Sequence, residues 1–118
     1  MTRLDYRFSG PAQREVVQIL RASTVRFGAP AALRYQLLIG QAVSDLTENP
    51  TRAGVRQVDG RLHYHLRHSR SRVAGDKVRY PRHVLVCRIE RSMLVIMAVG
   101  HDAMEDGMVR RIEEGDGR

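Results

Sequence analysis

HVLVCRIERSMLVIMAV, residues 83–99, decides the fold. Two apolar runs, His83–Ile89 and Met93–Val99, flank the polar triplet Glu90-Arg91-Ser92, the pattern of two antiparallel strands joined by a tight turn. The first run is apolar on both faces, which places it at the centre of a sheet. Upstream, residues 61–67 alternate with a period of two. Leu62, Tyr64 and Leu66 take one face and His63, His65 and Arg67 the other, so this is a third strand. Residues 4–8 repeat the pattern as a short, half-buried strand near the N-terminus.

Between the first strand and the others the period changes to that of a helix. Ser9 is placed as an N-cap and Pro11 falls in the first turn, where its missing N–H costs nothing. Ala12, Val16, Ile19, Leu20, Ser23 and Phe27 then recur at helical spacing, predicting a helix over residues 11–26. Gly28 suits the position after its end, and Ala29-Pro30 opens a second helix whose stripe is Leu33, Leu37, Leu38, Ala42 and Leu46. Asn49-Pro50 stops it. So short a connection forces the two helices into an antiparallel hairpin. Residues 51–60 read as turns, and residues 69–81 as a basic loop or a long hairpin tip. Met104, Met108, Val109 and Ile112 predict a short C-terminal amphipathic helix, followed by a frayed tail over residues 113–118. The order β-α-α-β-β-β makes residues 1–112 one α+β domain, a helical hairpin packed on an antiparallel sheet.

The composition agrees with one globular domain: 118 residues, 42% hydrophobic and 28% charged. Aromatic residues are 5% with no Trp, so the core must be aliphatic. The single cysteine, Cys87, excludes an internal disulfide and any cysteine-based zinc cluster. In the middle of its strand it is a small buried hydrophobe with a raised thiol pKa, and therefore inert. No run is long and apolar enough to span a membrane, and MTRLDYRFSG lacks the apolar core of a signal peptide. The expected location is the cytoplasm.

The net charge of +7 is concentrated in one segment. Residues 61–91 hold eight arginines and Lys77 against Asp76 and Glu90, with four of the five histidines. That favours a polyanionic partner, either nucleic acid or an acidic protein, over a merely solubilising face. Arg67, His68, Arg70, Arg72, Arg79 and Arg82 are the candidate contacts, since guanidinium forks suit phosphates and carboxylates equally. His63, His65 and His68 do not form a metal site, because His68 has the wrong strand parity and no carboxylate completes a tetrahedron. They are expected as surface histidines beside arginines, and neither a metal nor a cofactor is expected. His101-Asp102 is either an acid/base pair or a turn with Asp102 as a cap. Neighbours on a strand face opposite ways, so the pair can meet only if the chain turns there.

Four segments, in order, resemble the RelE/ParE superfamily of bacterial type II toxins. YRFSGPAQREVVQIL (6–20) resembles its first strand and helix, and RFGAPAALRYQLLIGQAVSDLTENPTRAG (26–54) its second helix. PRHVLVCRIE (81–90) resembles the strand where a basic residue and His precede an apolar run, and AVGHDAMED (98–106) the end of the last strand in the ParE branch. HLRHSRSRVAGDKVRYPRH (65–83) is longer than the usual ParE connection. The ParE resemblance implies a non-enzymatic inhibitor of DNA gyrase, with at most indirect DNA contact, neutralised by a ParD-like antitoxin segment that folds on binding. Val16, Leu20, Leu38, Met104, Met108 and Ile112 are the candidate antitoxin contacts. The RelE branch implies instead a ribosome-dependent mRNA endonuclease, with His101, Arg82 and Arg88 as its candidates. A third reading is an inactive member that only binds its antitoxin. Two departures bear on the choice. Ala98 stands where ParE members usually carry Arg, and His101 is followed by Asp102 with no Tyr beyond Tyr80. Without a phenol or base there, activation of an RNA 2′-OH has little support.

Overall fold

The computed structural model describes residues 3–104. Five strands and two helices follow in the order β1 (Asp5–Phe8), α1 (Gly10–Phe27), α2 (Ala29–Glu48), β2 (Arg56–Val58), β3 (Arg61–His65), β4 (His83–Glu90) and β5 (Met93–His101). A 3₁₀ helix, Leu66–Arg72, follows β3, and a short 3₁₀ turn, Asp102–Met104, follows β5. Ser9 caps α1 as its sequence implies, accepting the Ala12 amide at 3.2 Å through its hydroxyl oxygen. Gly28, at φ +93°, closes α1 and begins α2, so the hairpin turns within one residue. The conformation favours a residue without Cβ.

The sheet runs β1-β5-β4-β3-β2 and differs from the expected one in three respects. First, β1 pairs parallel with β5, so the sheet is mixed: the α1–α2 hairpin carries the chain across before it returns. Second, a strand lies within residues 51–60. Val58 pairs with Arg61 across Asp59-Gly60, both at positive φ, a two-residue hairpin turn. Third, the β4–β5 ladder carries a bulge. Val86 pairs with Ala98 but Cys87 pairs with Ile96, leaving Met97 as the extra residue. The Met97 carbonyl accepts the Ser9 hydroxyl at 2.9 Å, tying the bulge to the start of α1.

Both helices cover one face of the sheet. Ala12, Leu38, Ala42 and Leu46 from the hairpin meet Leu62, Tyr64, Leu85, Cys87, Leu94, Ile96 and Val99 from the strands. The bulge explains why Ile96 and Val99, three apart, share this core. Val84, Val86 and Ala98 are buried on the other face. Burial pushes the Cys87 thiol up to about 12, so it is inert at neutral pH. His63 is only 2% exposed, not a surface histidine, because β3 lies between two strands and both of its faces are covered. The helix expected over Met104–Ile112 and the tail after it lie outside the described residues, apart from Met104. No helix among the described residues is long and apolar enough to cross a membrane.

A histidine–tyrosine cluster and an anchored basic arm

At one end of the sheet, side chains from five elements converge. His83 opens β4 and His101 closes β5; the two are paired in register and their rings lie 5.6 Å apart, edge to face. Tyr35 reaches them from α2 with its hydroxyl 2.5 Å from His83 Nδ1, while accepting the Arg82 amide at 3.1 Å. His65, at the end of β3, donates from Nε2 to Asp102 Oδ2 at 3.0 Å. The turn after β5 thus brings Asp102 to His65 and to His101 alike. His101 Nδ1 is 3.2 Å from Asp102 Oδ1 and accepts the Ala103 amide at 3.1 Å.

All three imidazoles engage Nδ1 in a hydrogen bond. It accepts from the Arg67 amide in His65 and from the Ala103 amide in His101, and shares a hydrogen bond with the Tyr35 hydroxyl in His83. In His65 and His101 the ring edge at Nδ1 is thereby spent on a backbone amide. Burial, aided by His101, lowers His83 to about 4, and burial raises Tyr35 to about 12, so both stay uncharged at neutral pH. The hydrogen bond from His65, with the nearby Arg82 charge, holds Asp102 below the usual carboxylate range. The backbone amides on His65 and His101 and the Tyr35 bond on His83 tie the three rings to the chain ends they sit beside.

The basic segment between β3 and β4 is an arm held at both ends. Its anchor is Asp45 on α2, whose carboxylate is fully buried. Asp45 receives Arg52 at 2.6 Å, Arg72 Nε at 2.8 Å, the Ser69 hydroxyl at 2.6 Å and Gln41 at 2.9 Å. Tyr64 completes the network by donating to Ser69 at 2.7 Å. Burial alone would raise the Asp45 carboxyl, but these hydrogen bonds and the Arg52 charge outweigh it and hold the group below its ordinary value. Farther along, Arg70 Nη1 donates to the Arg79 carbonyl at 2.5 Å and Lys77 to the Val73 carbonyl at 2.6 Å. A cleft of about 710 Å³ beside β1, lined by Tyr6, Phe8, Val43 and Met93, sits at the opposite end of β5 from the histidines.

Comparison with known proteins turns this geometry into a family. Residues 6–106 match the family described as the ParE toxin of the type II toxin-antitoxin system, parDE. The chain belongs to the ParE toxin family. A search of curated protein sequences finds no match. Among solved structures, the chromosomal ParDE toxin-antitoxin system from P. aeruginosa is similar at 16% identity and a TM-score of 0.62, over 84% of this chain and 96% of that one. The RelBE2 toxin-antitoxin complex from Mycobacterium tuberculosis is also found, at 18% identity and a TM-score of 0.47, over 85% and 99% of the two chains. The P. aeruginosa likeness bears on the fold alone, a helical hairpin on a five-stranded sheet.

Within this ParE chain the candidate residues separate. Arg67, Arg70, Arg79 and Arg82 are exposed on the arm. Arg72 is committed to Asp45 and serves as an anchor. His68 is half-buried, its ring 5.5 Å from that of Tyr64 and packed on Gly54, where any Cβ would lie 2.6 Å from it. Arg88 pairs with Glu90 and sits at the far end of β4 from His83, so it does not join His101 and Arg82. Of the apolar candidates, Leu38 is 1% exposed and belongs to the core, whereas Val16 and Leu20 are half-buried and Met104 is 64% exposed. Met108 and Ile112 lie outside the described residues. The Tyr35 and Asp45 contributions were not anticipated, because both sit among the apolar positions of α2 and act across the fold. Asp45 alone left a trace: an acid within a buried stripe needs partners.

Proposed function

We propose that this ParE-family toxin is neutralised by a cognate ParD-like antitoxin and, when free, inhibits DNA gyrase by binding rather than by catalysis. The observation that carries the reading is that Nδ1 of His65 and Nδ1 of His101 each accept a backbone amide, a structural use of the imidazoles at the sheet end. A gyrase inhibitor needs no general base, whereas cleavage of RNA at its 2′-OH does. The exposed arginines of the arm supply the contact with the enzyme–DNA complex, and Val16, Leu20 and Met104 supply apolar surface for the antitoxin.

The test is induction of the toxin alone, with parallel labelling of new DNA, RNA and protein in the following minutes. DNA synthesis should stop first, and the purified toxin should inhibit supercoiling by gyrase. His101→Asn retains an acceptor at the Nδ1 position and should leave toxicity nearly intact. Joint replacement of Arg67, Arg70 and Arg82 by Ala should reduce it strongly. Immediate arrest of protein synthesis with cut mRNA, abolished by His101→Ala, would replace this reading by the endonuclease. An inert toxin that still binds its antitoxin would replace it by the inactive member.

A further inference from the structure

We propose that the arm carries a binding site for single-stranded nucleic acid, with the Tyr80 ring as a stacking platform framed by Arg70, Arg79 and Arg82. The inference is independent of the gyrase reading. It starts from the exposure of Tyr80, 78%, in a chain with few aromatic residues. Tyr35 and Tyr64 both use their hydroxyls in buried or half-buried networks, and Tyr6 packs edge-on against Phe8. Among the described residues no ring and no cation packs on Tyr80, and most of the side chain faces solvent.

The backbone on either side holds the ring outward. The Arg79 carbonyl receives the Arg70 guanidinium, which fastens the chain immediately before Tyr80. Pro81 immediately after is buried and fixes its own φ, and it confines Tyr80 to extended backbone. The Arg82 amide is bonded to Tyr35, a third fixed point within four residues. Exposure on such a tethered stretch is a held orientation rather than a loose loop tip.

The electrostatics select the ligand. Arg79 and Arg82 are exposed on either side of Tyr80, Arg70 is brought beside it by its bond to Arg79, and Arg67 lies one 3₁₀ turn from Arg70 on the same face. An acidic peptide would satisfy these cations but has no use for an exposed aromatic ring. Duplex DNA would satisfy them too, but its bases are stacked within it. A single strand uses both, phosphates on the guanidiniums and an unstacked base on the ring. Single-stranded DNA and RNA share this chemistry.

The full-length toxin would be titrated against fluorescein-labelled oligo(dT) and oligo(U) of about 12 nucleotides, the span of one such site, and against a duplex of equal length. Both single strands should bind more tightly than the duplex, and the ratio between them identifies the natural sugar. Tyr80→Ala should weaken binding at least about fivefold without changing the slope of log K against log salt, since it removes stacking and no charge. Tyr80→Phe should bind like the parent. Arg79→Ala with Arg82→Ala should lower that slope by about 1.4, the value for two phosphate contacts on a single strand. Tyr80 is a surface residue, so unchanged melting temperatures will certify the variants. Equal or tighter duplex binding, indifference to Tyr80→Ala, loss in Tyr80→Phe, or displacement by polyglutamate at equal charge concentration would each overturn the proposal.

Discussion

Asp45 shows what a single carboxylate does when it is buried with enough partners. Two arginines, a serine and a glutamine meet it, and through Arg72 and Ser69 it holds the 3₁₀ helix that begins the arm against α2. Removing the acid unties Arg52, Arg72, Ser69 and Gln41 at once, so Asp45→Ala should lower the urea midpoint clearly. Arg72→Ala should also lower stability, by less, because Arg52 remains. Arg79→Ala, on an exposed site, should shift the urea midpoint by almost nothing. Urea denaturation followed by circular dichroism checks all three. His83 gives a second prediction at this scale. It faces Tyr35 on α2, His101 on β5, Asp102 on the turn, His65 on β3 and Arg82 on its own strand's approach. Unfolded, it takes a proton near its ordinary value of 6.5, but folded only near 4. Between those values the unfolded chain binds the extra proton, so stability is complete above about 6.5 and declines as pH falls towards 4. Half-buried His68, also lowered by burial, acts in the same direction. His83→Asn, which keeps an acceptor for Tyr35 and cannot titrate, should flatten much of this slope in urea midpoints measured from pH 7.5 to 4.5.

At the level of elements, the helices and the central strands were legible and the edges of the sheet were not. Ser9, Pro11, Gly28, Pro30 and Pro50 punctuate α1 and α2 within a residue or two of where they run, since caps and breakers act locally. The apolar runs of β4 and β5 announced themselves for the same reason. The parallel pairing of β1 was hidden because it depends on where the hairpin delivers the chain, which no local period encodes. β2 was hidden by its brevity, although Asp59-Gly60 is the strongest short signal for a hairpin. The Met97 bulge broke the alternation that the eye follows, so the inward set Ile96 and Val99 could not be read by period alone. At the site, exposed arginines were legible from charge, but Arg72, Tyr35 and Leu38 were not, as their roles come from partners distant in sequence. Two measurements test this layer. Gly60, at φ +78°, should resist substitution: Gly60→Ala places a Cβ in left-handed backbone and should cost about 1–2 kcal/mol. Leu85→Asp or Ile96→Asp should abolish cooperative thermal unfolding altogether, since each buries a charge in the helix-facing core without a partner.

The whole molecule is electrostatically lopsided, and that governs how a partner arrives. The net charge is +7 and the segment from 61 to 91 carries most of it, with its arm pinned to the body by Asp45 rather than trailing in solvent. A fixed basic face attracts any partner of opposite charge from a distance, because long-range attraction acts before any contact forms. The apolar surface offered by α1 and by Met104 acts only after contact, through burial. Charge should therefore set the association rate, and apolar burial the dissociation rate. Raising salt from roughly 50 to 500 mM shortens the Debye length from more than 10 Å to a few ångströms, which removes steering but leaves apolar burial in place. Stopped-flow or surface-binding kinetics with the antitoxin should then show association slowing by about tenfold or more while release changes by less than about twofold. Arg67→Ala with Arg79→Ala should copy the effect of salt on association. Val16→Ala with Leu20→Ala should accelerate release at every salt concentration. If salt acts chiefly on release, the basic arm lies within the antitoxin interface itself and holds the complex together by contact.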